Sequence, residues 1–390
     1  MSRLPLTAGF IPLTDAAPLI IAREMGFAAA EGLDLILRPA PSWSRLRDDL
    51  AFGQVDAAHL LSPMPVAMTL GLGSVPLAVD VAQVMSVCGE MIGVSRAIAD
   101  RMRANGHDFA LDDPRSAGKA LLASVRGPLR IGVPFPFSMH TELLFYWIET
   151  IAGMIPPELD IHTVPPPRMA EALAAGEIDA FSVGEPWGSI AVELGAGELL
   201  LPGSAIWSHA PDKVLAFRHE SVQADSDLPA RLMRAVWRAG AWLADPGNLL
   251  PAAEILAAPH HVGVRADILE RSLFGRFVIA PSGETRVVRQ FLDFGGLTPF
   301  PWRSQGEWIA ARLARRHGLD PVMARKIGRE VFRSDLYRRY LGPAGAQMPG
   351  ASAKVEGALD ETLELHTGQG KMSLARNRFF DGRVFDPDLP

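Results

Sequence analysis

Several short segments carry side chains and backbone groups suited to gripping a small anion. Lys213 lies where the chain is expected to cross back between two halves, and one ammonium there would neutralise one negative charge. Trp43 follows Ala40-Pro41-Ser42, in a loop between a predicted strand and a predicted helix, where a ligand would sit. His140 follows Pro134-Phe135-Pro136-Phe137-Ser138-Met139 beyond another strand end, and its imidazole could donate to an oxyanion. Ser62-Pro63-Met64-Pro65 and Gly184-Glu185-Pro186-Trp187 open helices whose first N–H groups have no partner within the helix and suit an anion. Glu185 there could cap the helix start. Val164-Pro165-Pro166-Pro167 is stiff and lacks three N–H donors, so it shapes a wall rather than donating. Each has a plainer alternative: an edge-packed tryptophan, a structural histidine, a solvated lysine, a rigid loop.

Reactive chemistry finds less support. No phosphate-binding glycine loop, Gly-x-Gly-x-x-Gly run, nucleophile elbow or His-Glu-x-x-His helix occurs. Cys88, the single cysteine, forms no intramolecular disulfide and reads as buried packing. His260-His261 has no evident third ligand, so no metal is assigned. Arg312, Arg315, Arg316, Arg325, Arg329, Arg338 and Arg339 read as solvated helix faces rather than a nucleic-acid surface. The expectation is a binding protein, not an enzyme, without a cofactor.

The elements that position these residues alternate between strand-like and helix-like, which predicts α/β architecture. Strands are expected at Leu6 to Phe10, Leu33 to Leu37, Ala57 to Leu61 and Leu129 to Val133. Helices are expected at Ala16 to Phe27, Trp43 to Ala51, Thr141 to Gly153, Leu228 to Ala244, Gly306 to Arg316 and Pro321 to Tyr340. Gly53-Gln54-Val55-Asp56-Ala57 returns as Gly176-Glu177-Ile178-Asp179-Ala180, and in each copy a proline follows ten residues after the glycine. The glycine closes one helix, the Val or Ile starts a buried strand, and the proline opens the next helix. Two copies 123 residues apart predict two lobes on one plan. Lobe 1 is assigned residues 1–91 and 213–390, lobe 2 residues 92–212, and the tail from Gly342 wraps the surface. Ligands in such open sheets settle beyond the strand ends, so the cleft between the lobes is the expected site.

The 390 residues are 48% apolar and 21% charged, enough for a sizeable core. Thirty-eight basic residues against 44 acidic give a net charge of −6, which argues against direct nucleic-acid binding. No apolar run is long enough to span a bilayer. A first strand begins within a handful of residues of Met1, leaving no room for a secretory leader. A cytoplasmic location is therefore expected, with a periplasmic one the alternative if a leader has been removed.

Taken together, the segments resemble the nitrate- and bicarbonate-binding proteins of ABC transporters and their cytoplasmic nitrate-sensor relatives. The resemblance rests on Phe10-Ile11-Pro12, Ala17-Pro18-Leu19-Ile20-Ile21-Ala22, Ser42-Trp43, Asp56-Ala57-Ala58-His59, Ser62-Pro63-Met64-Pro65 and Phe135-Pro136 with His140. It continues through Tyr146-Trp147, Val164-Pro165-Pro166-Pro167 with Met169, Val183-Gly184-Glu185-Pro186-Trp187, Lys213, Phe379-Phe380-Asp381-Gly382 and Phe385-Asp386-Pro387. It implies a type II periplasmic-binding-protein fold, two lobes joined by two crossovers and closing on a small planar oxyanion. Trp43, His140, Pro166, Pro167, Gly184 and Lys213 match its ligand positions. Two departures stand out. Nitrate binders place an amide in the segment matching Gly89-Glu90-Met91-Ile92, where this chain has Glu90. A carboxylate there repels nitrate unless protonated or paired with Lys213, whereas it could accept the O–H of bicarbonate. The family's Thr-His-Asp is Met139-His140-Thr141 here. The resemblance implies a nitrate or nitrite sensor acting on an antiterminator-type protein. The alternative is the solute-binding component of a nitrate or bicarbonate importer, working with an ABC permease.

Overall fold

A computed structural model describes residues 3–73, 76–156, 158–367 and 370–389. Leu4–Phe10 (β1), Leu33–Pro39 (β2), Ala57–Leu61 (β3) and Val79–Cys88 (β4) build most of a first sheet. Glu90–Ser95 (β5), Leu129–Val133 (β6), Leu159–Thr163 (β7), Ala180–Gly184 (β8) and Gly197–Pro202 (β9) build a second. Pro211–Arg218 (β10) returns to the first, Arg276–Val278 (β11) and Thr285–Val287 (β12) form a hairpin, and Leu292–Asp293 (β13) adds an edge. The strand orders are β13-β4-β10-β3-β1-β2 and β7-β6-β8-β5-β9. Within each sheet one chain-crossing strand, β10 or β5, runs antiparallel to a parallel three-stranded unit. β3 and β8 are buried along their whole length, as expected of strands covered on both faces.

The echo is a structural repeat. Gly53 and Gly176 both adopt left-handed φ, 69° and 70°, after helices Trp43–Ala51 and Met169–Ala174. Val55 and Ile178 are buried behind them. Asp56 accepts the N–H of Thr7 at 2.8 Å, and Asp179 accepts that of Arg130 at 3.1 Å, across the same separation of 49 residues. Ala8 pairs with Ala57 just as Ile131 pairs with Ala180. Gly9 and Gly132 fall at matching places, and a Cβ on either would strike a neighbour, at 2.4 Å from Leu46 and 2.7 Å from Ile178. The prolines differ in detail: Pro63 opens helix Pro63–Thr69, while Pro186 is the residue before helix Trp187–Glu193.

Other expectations need correction. The helix expected over Ala16 to Phe27 breaks at Gly26, whose φ is 76°, into Ala17–Glu24 and Phe27–Ala30. The span Pro321 to Tyr340 is two helices, Pro321–Val331 and Ser334–Leu341, because Phe332 and Arg333 leave helical geometry. The arginines are not a freely solvated set. Arg316 bonds Glu142 at 2.5 Å, Arg312 approaches Glu149 at 3.5 Å, and Arg325 and Arg329 both pair with Glu307 at 3.0 Å. The histidine pair does have a third candidate ligand: Oε1 of Glu24 lies 3.2 Å from His261 Nε2.

Only Gly89 separates β4 from β5, so the chain passes from one sheet to the other almost as a continuous ribbon. Cys88 and Gly89 turn it with positive φ, 57° and 96°. The return runs from β9 through helix Gly203–Ile206 to β10. The tail does more than wrap the surface. Asn377 is buried and accepts from Trp207 Nε1, Phe380 N donates to Ile206 O at 2.9 Å, and Tyr146 bonds Asp381 at 2.8 Å.

Candidate functional site

The two crossings meet around Lys213. Its Nζ donates to Asp212 Oδ2 at 2.5 Å, lies 2.8 Å from Asp15 Oδ2, and stands 5.8 Å from the centre of the Trp43 ring. His59 Nε2 is 3.1 Å from the other oxygen of Asp15, and the His59 and Trp43 rings are 5.9 Å apart. From the second lobe, His140 places Nδ1 3.9 Å from Asp212 Oδ1. All six side chains are buried, so the cluster is closed to solvent.

Local sequence explains each placement. Ser42 caps helix Trp43–Ala51 by accepting the N–H of Arg45, which fixes Trp43 at the first helical position. Ser138 does the same for helix Met139–Ala152 and holds His140 in its first turn. Adjacent strand residues normally point to opposite faces. The register between β10 and β4 shifts between Pro211 and Lys213, however, and Asp212 and Lys213 meet the same cluster. Ser62 anchors this corner: its N–H donates to Asp212 O and its hydroxyl to Pro211 O.

The charges of the cluster are set by burial against pairing. Burial alone disfavours an ammonium, but Asp15 and Asp212 outweigh it and raise the Lys213 pKa. Burial pushes Asp15 upward, yet Lys213 and His59 hold it below the usual carboxylate value, so it is ionised. Asp212 is pushed up to about 7 by burial, with Asp15 adding repulsion that Lys213 only partly offsets. Burial lowers His59 below the usual histidine value, and burial and then Lys213 lower His140 well below it, leaving both neutral. Glu90, the first residue of β5, is pushed up to about 8 by burial and then by Asp212, and is mostly protonated at neutral pH. It packs against Gly203, where an added Cβ would lie 2.0 Å from its Oε1.

Among the anticipated residues, Trp43, His140 and Lys213 share this cluster, and Gly184 faces it: a Cβ there would sit 3.5 Å from Asp15 Oδ2. Glu90 pairs directly with Gly184 in the second sheet. Pro166 is buried in the short 3-10 turn after edge strand β7, and Pro167 beside it is exposed. The helix openings offer an incoming anion less than expected. Pro63 and Pro65 have no N–H, and the N–H of Ser189 is taken by the carboxylate of Glu185, which serves as the cap. Burial pushes Glu185 up to about 7. Asp15, His59 and Asp212 were not singled out from the sequence. The available signals were a histidine inside the otherwise apolar strand Ala57–Leu61 and an acid immediately before each of Ala16 and Lys213.

Comparison with known proteins agrees with the two-lobed fold. The chain is 33% identical over 351 residues to the nitrate import ATP-binding protein NrtC of a Synechocystis strain, covering 88% of this chain and 51% of NrtC. It thus spans about half the length of that relative. The nitrate/nitrite binding protein NrtA of a Nostoc strain is 29% identical, over 98% of this chain and 83% of NrtA. The bicarbonate-binding protein CmpA of a Synechococcus strain is 26% identical, over 98% and 84%. The crystal structure of the periplasmic nitrate-binding protein NrtA from Synechocystis superposes with a TM-score of 0.84 at 25% identity, covering 99% of this chain and 96% of that one. The two-lobed α/β architecture is that of the periplasmic binding proteins. The model of the NMT1-like family matches residues 3–257, and the chain belongs to that family.

Proposed function

We propose that this protein is the solute-binding component of an ABC importer and that its solute is a small planar oxyanion of the nitrate, nitrite or bicarbonate kind. The observation that carries this reading is a fully buried Lys213 at the junction of the two crossings, with Trp43 from one lobe and His140 from the other on either side. An ammonium there supplies the charge, the indole offers a flat face and an N–H, and a neutral imidazole offers one more donor. The Trp43 Nε1 and both His140 ring nitrogens have no hydrogen-bond partner among the described residues, which leaves them available to a solute. Lobe separation admits the solute and closure excludes water, strengthening every charge interaction at the site.

The relatives named above are nitrate or bicarbonate import and binding proteins, which favours the importer role over the expected sensor with its antiterminator partner. The matching partner is an ABC permease, and the periplasm is the corresponding location. No described helix is long and apolar enough to cross a membrane. Isothermal titration with nitrate, nitrite and bicarbonate tests the reading. Heat is expected with at least one anion, and Lys213→Gln should weaken it by about 100-fold, the cost of one charge-assisted contact of ~3 kcal/mol. The reading fails if none of the three binds, or if Lys213→Gln binds as tightly as the natural protein.

A further inference from the structure

The site has a charge problem that its geometry also resolves. Lys213 Nζ donates to Asp212 and lies 2.8 Å from Asp15 Oδ2, so two carboxylates crowd its ammonium. An anion entering the cluster meets these two acids before it meets a free ammonium. The acids are not equivalent. Asp15 is engaged at both ends, with one oxygen at Lys213 and the other 3.1 Å from His59 Nε2. Asp212 is engaged at one end only. Its Oδ1 is buried and stands 3.9 Å from His140 Nδ1, farther than either contact of Asp15.

Resting on the oxyanion reading, we propose that Asp212 is a resident counter-anion of Lys213 which takes up a proton when the solute binds, so that each anion enters with one proton. The neutral carboxyl gives up its claim on the ammonium, and its new O–H becomes a donor toward the anion or toward His140. The proton comes from solvent while the lobes are apart. Asp15 stays ionised because His59 and Lys213 still hold it.

Burial and Asp15 favour this outcome, while Lys213 opposes it until the solute claims the ammonium. Lys213 stands on its own strand, Asp15 precedes the helix Ala17–Glu24, His59 comes from β3, His140 from helix Met139–Ala152, Cys88 from the end of β4 and Glu90 from the start of β5. At neutral pH His59, His140, Glu90 and the Cys88 thiol are uncharged, with burial the leading cause in each case. Lys213 and Asp15 therefore cancel, and near pH 7 the charge of Asp212 decides whether an anion is repelled, with Glu90 adding repulsion as it ionises through about 8. With Asp212 half ionised near its value of about 7, the coupling falls in the physiological range.

Titration calorimetry with nitrate and nitrite, whose charges are fixed over the range, tests the proposal from pH 6 to pH 9. Two buffers of different ionisation enthalpy at each pH count the protons taken up. Affinity is expected to fall about 100-fold between pH 6 and pH 9, approaching tenfold per unit above pH 8, with uptake rising from near zero toward one proton. In a Glu90→Gln background, which removes the other carboxyl titrating in this range, Asp212→Asn should flatten both the slope and the proton count and bind more tightly at pH 9. Asp15→Asn, which removes a negative charge that stays ionised throughout, should bind more tightly but keep a pH slope, and circular dichroism confirms that each variant is folded. Binding without pH dependence and without buffer-dependent heat overturns the proposal while leaving the oxyanion reading intact. No heat with either anion at any pH, with heat from bicarbonate alone, also overturns it. Silence toward all three anions removes the oxyanion reading as well.

Discussion

The two lobes share one strand plan, and the offset of 123 residues that relates them places Glu90 opposite Lys213. Glu90 pairs with Gly184 as Lys213 pairs with Leu61, each at the point where a crossing strand joins the other sheet. One half of the repeat thus supplies an acid and the other a base at corresponding positions. The same offset sets Pro166 opposite Trp43, a ring without a donor against an indole. The backbone repeat is kept for packing, while the side chains at its ends differ between the two halves. Symmetry belongs to the scaffold, and the polarity of the site comes from breaking it.

The largest test of that contrast is a pair of truncations. Trp43→Ala should cost about 3–5 kcal/mol of stability, as expected for a fully buried aromatic, and abolish solute binding. Pro166→Ala at the matching place should cost under about 1 kcal/mol, both read by denaturant unfolding. Equal costs would mean the lobes are not divergent there. Next is Glu90→Gln. The folded protein holds Glu90 near 8, above its ordinary value of 4.5, so the carboxyl favours folding most at low pH. That contribution fades as pH rises through about 8, when the buried group must ionise. Glu90→Gln should therefore be about 2 kcal/mol more stable than the natural chain at pH 8.5 and nearly equal to it at pH 4.5. The smallest effect concerns the paired aspartates. Asp179→Ala loses the Arg130 N–H together with a two-armed ion pair and should cost about 1–2 kcal/mol. Asp56→Ala loses one exposed N–H bond, about 0.5–1 kcal/mol. A larger loss for Asp56 would reverse the order.

Much of the scaffold was legible because its signals are local. A glycine that must turn left-handed, a β-branched residue that must be buried and an aspartate that caps a neighbouring strand recur at fixed spacing, and the strands Ala57–Leu61 and Leu129–Val133 follow from them. Lys213, Trp43 and His140 were legible as residues at strand and helix ends. Asp15 and Asp212 were not, for two physical reasons. A period-two strand pattern sets Asp212 on the face opposite Lys213, and only the register shift against β4 brings both to one place. Asp15 meets Lys213 across a sequence distance that no local pattern spans. The break at Phe332 was hidden for a related reason: Phe332 leaves the helix to bridge Val81 of β4, a tertiary demand that overrides the helical spacing around it.

The closing segment of the chain gives the molecule a bound spine. Asn377 and Phe380 hook the loop between β9 and β10, Asp381 holds Tyr146 of one lobe, and Glu356, paired with Phe385, grips Ser304 of the other. Two covers already share a one-residue joint at Gly89, and Trp207, held by Asn377, lies against Cys88 beside that joint. Like a book sewn along its back, the two halves are tied by their last-made thread as well as by their joint.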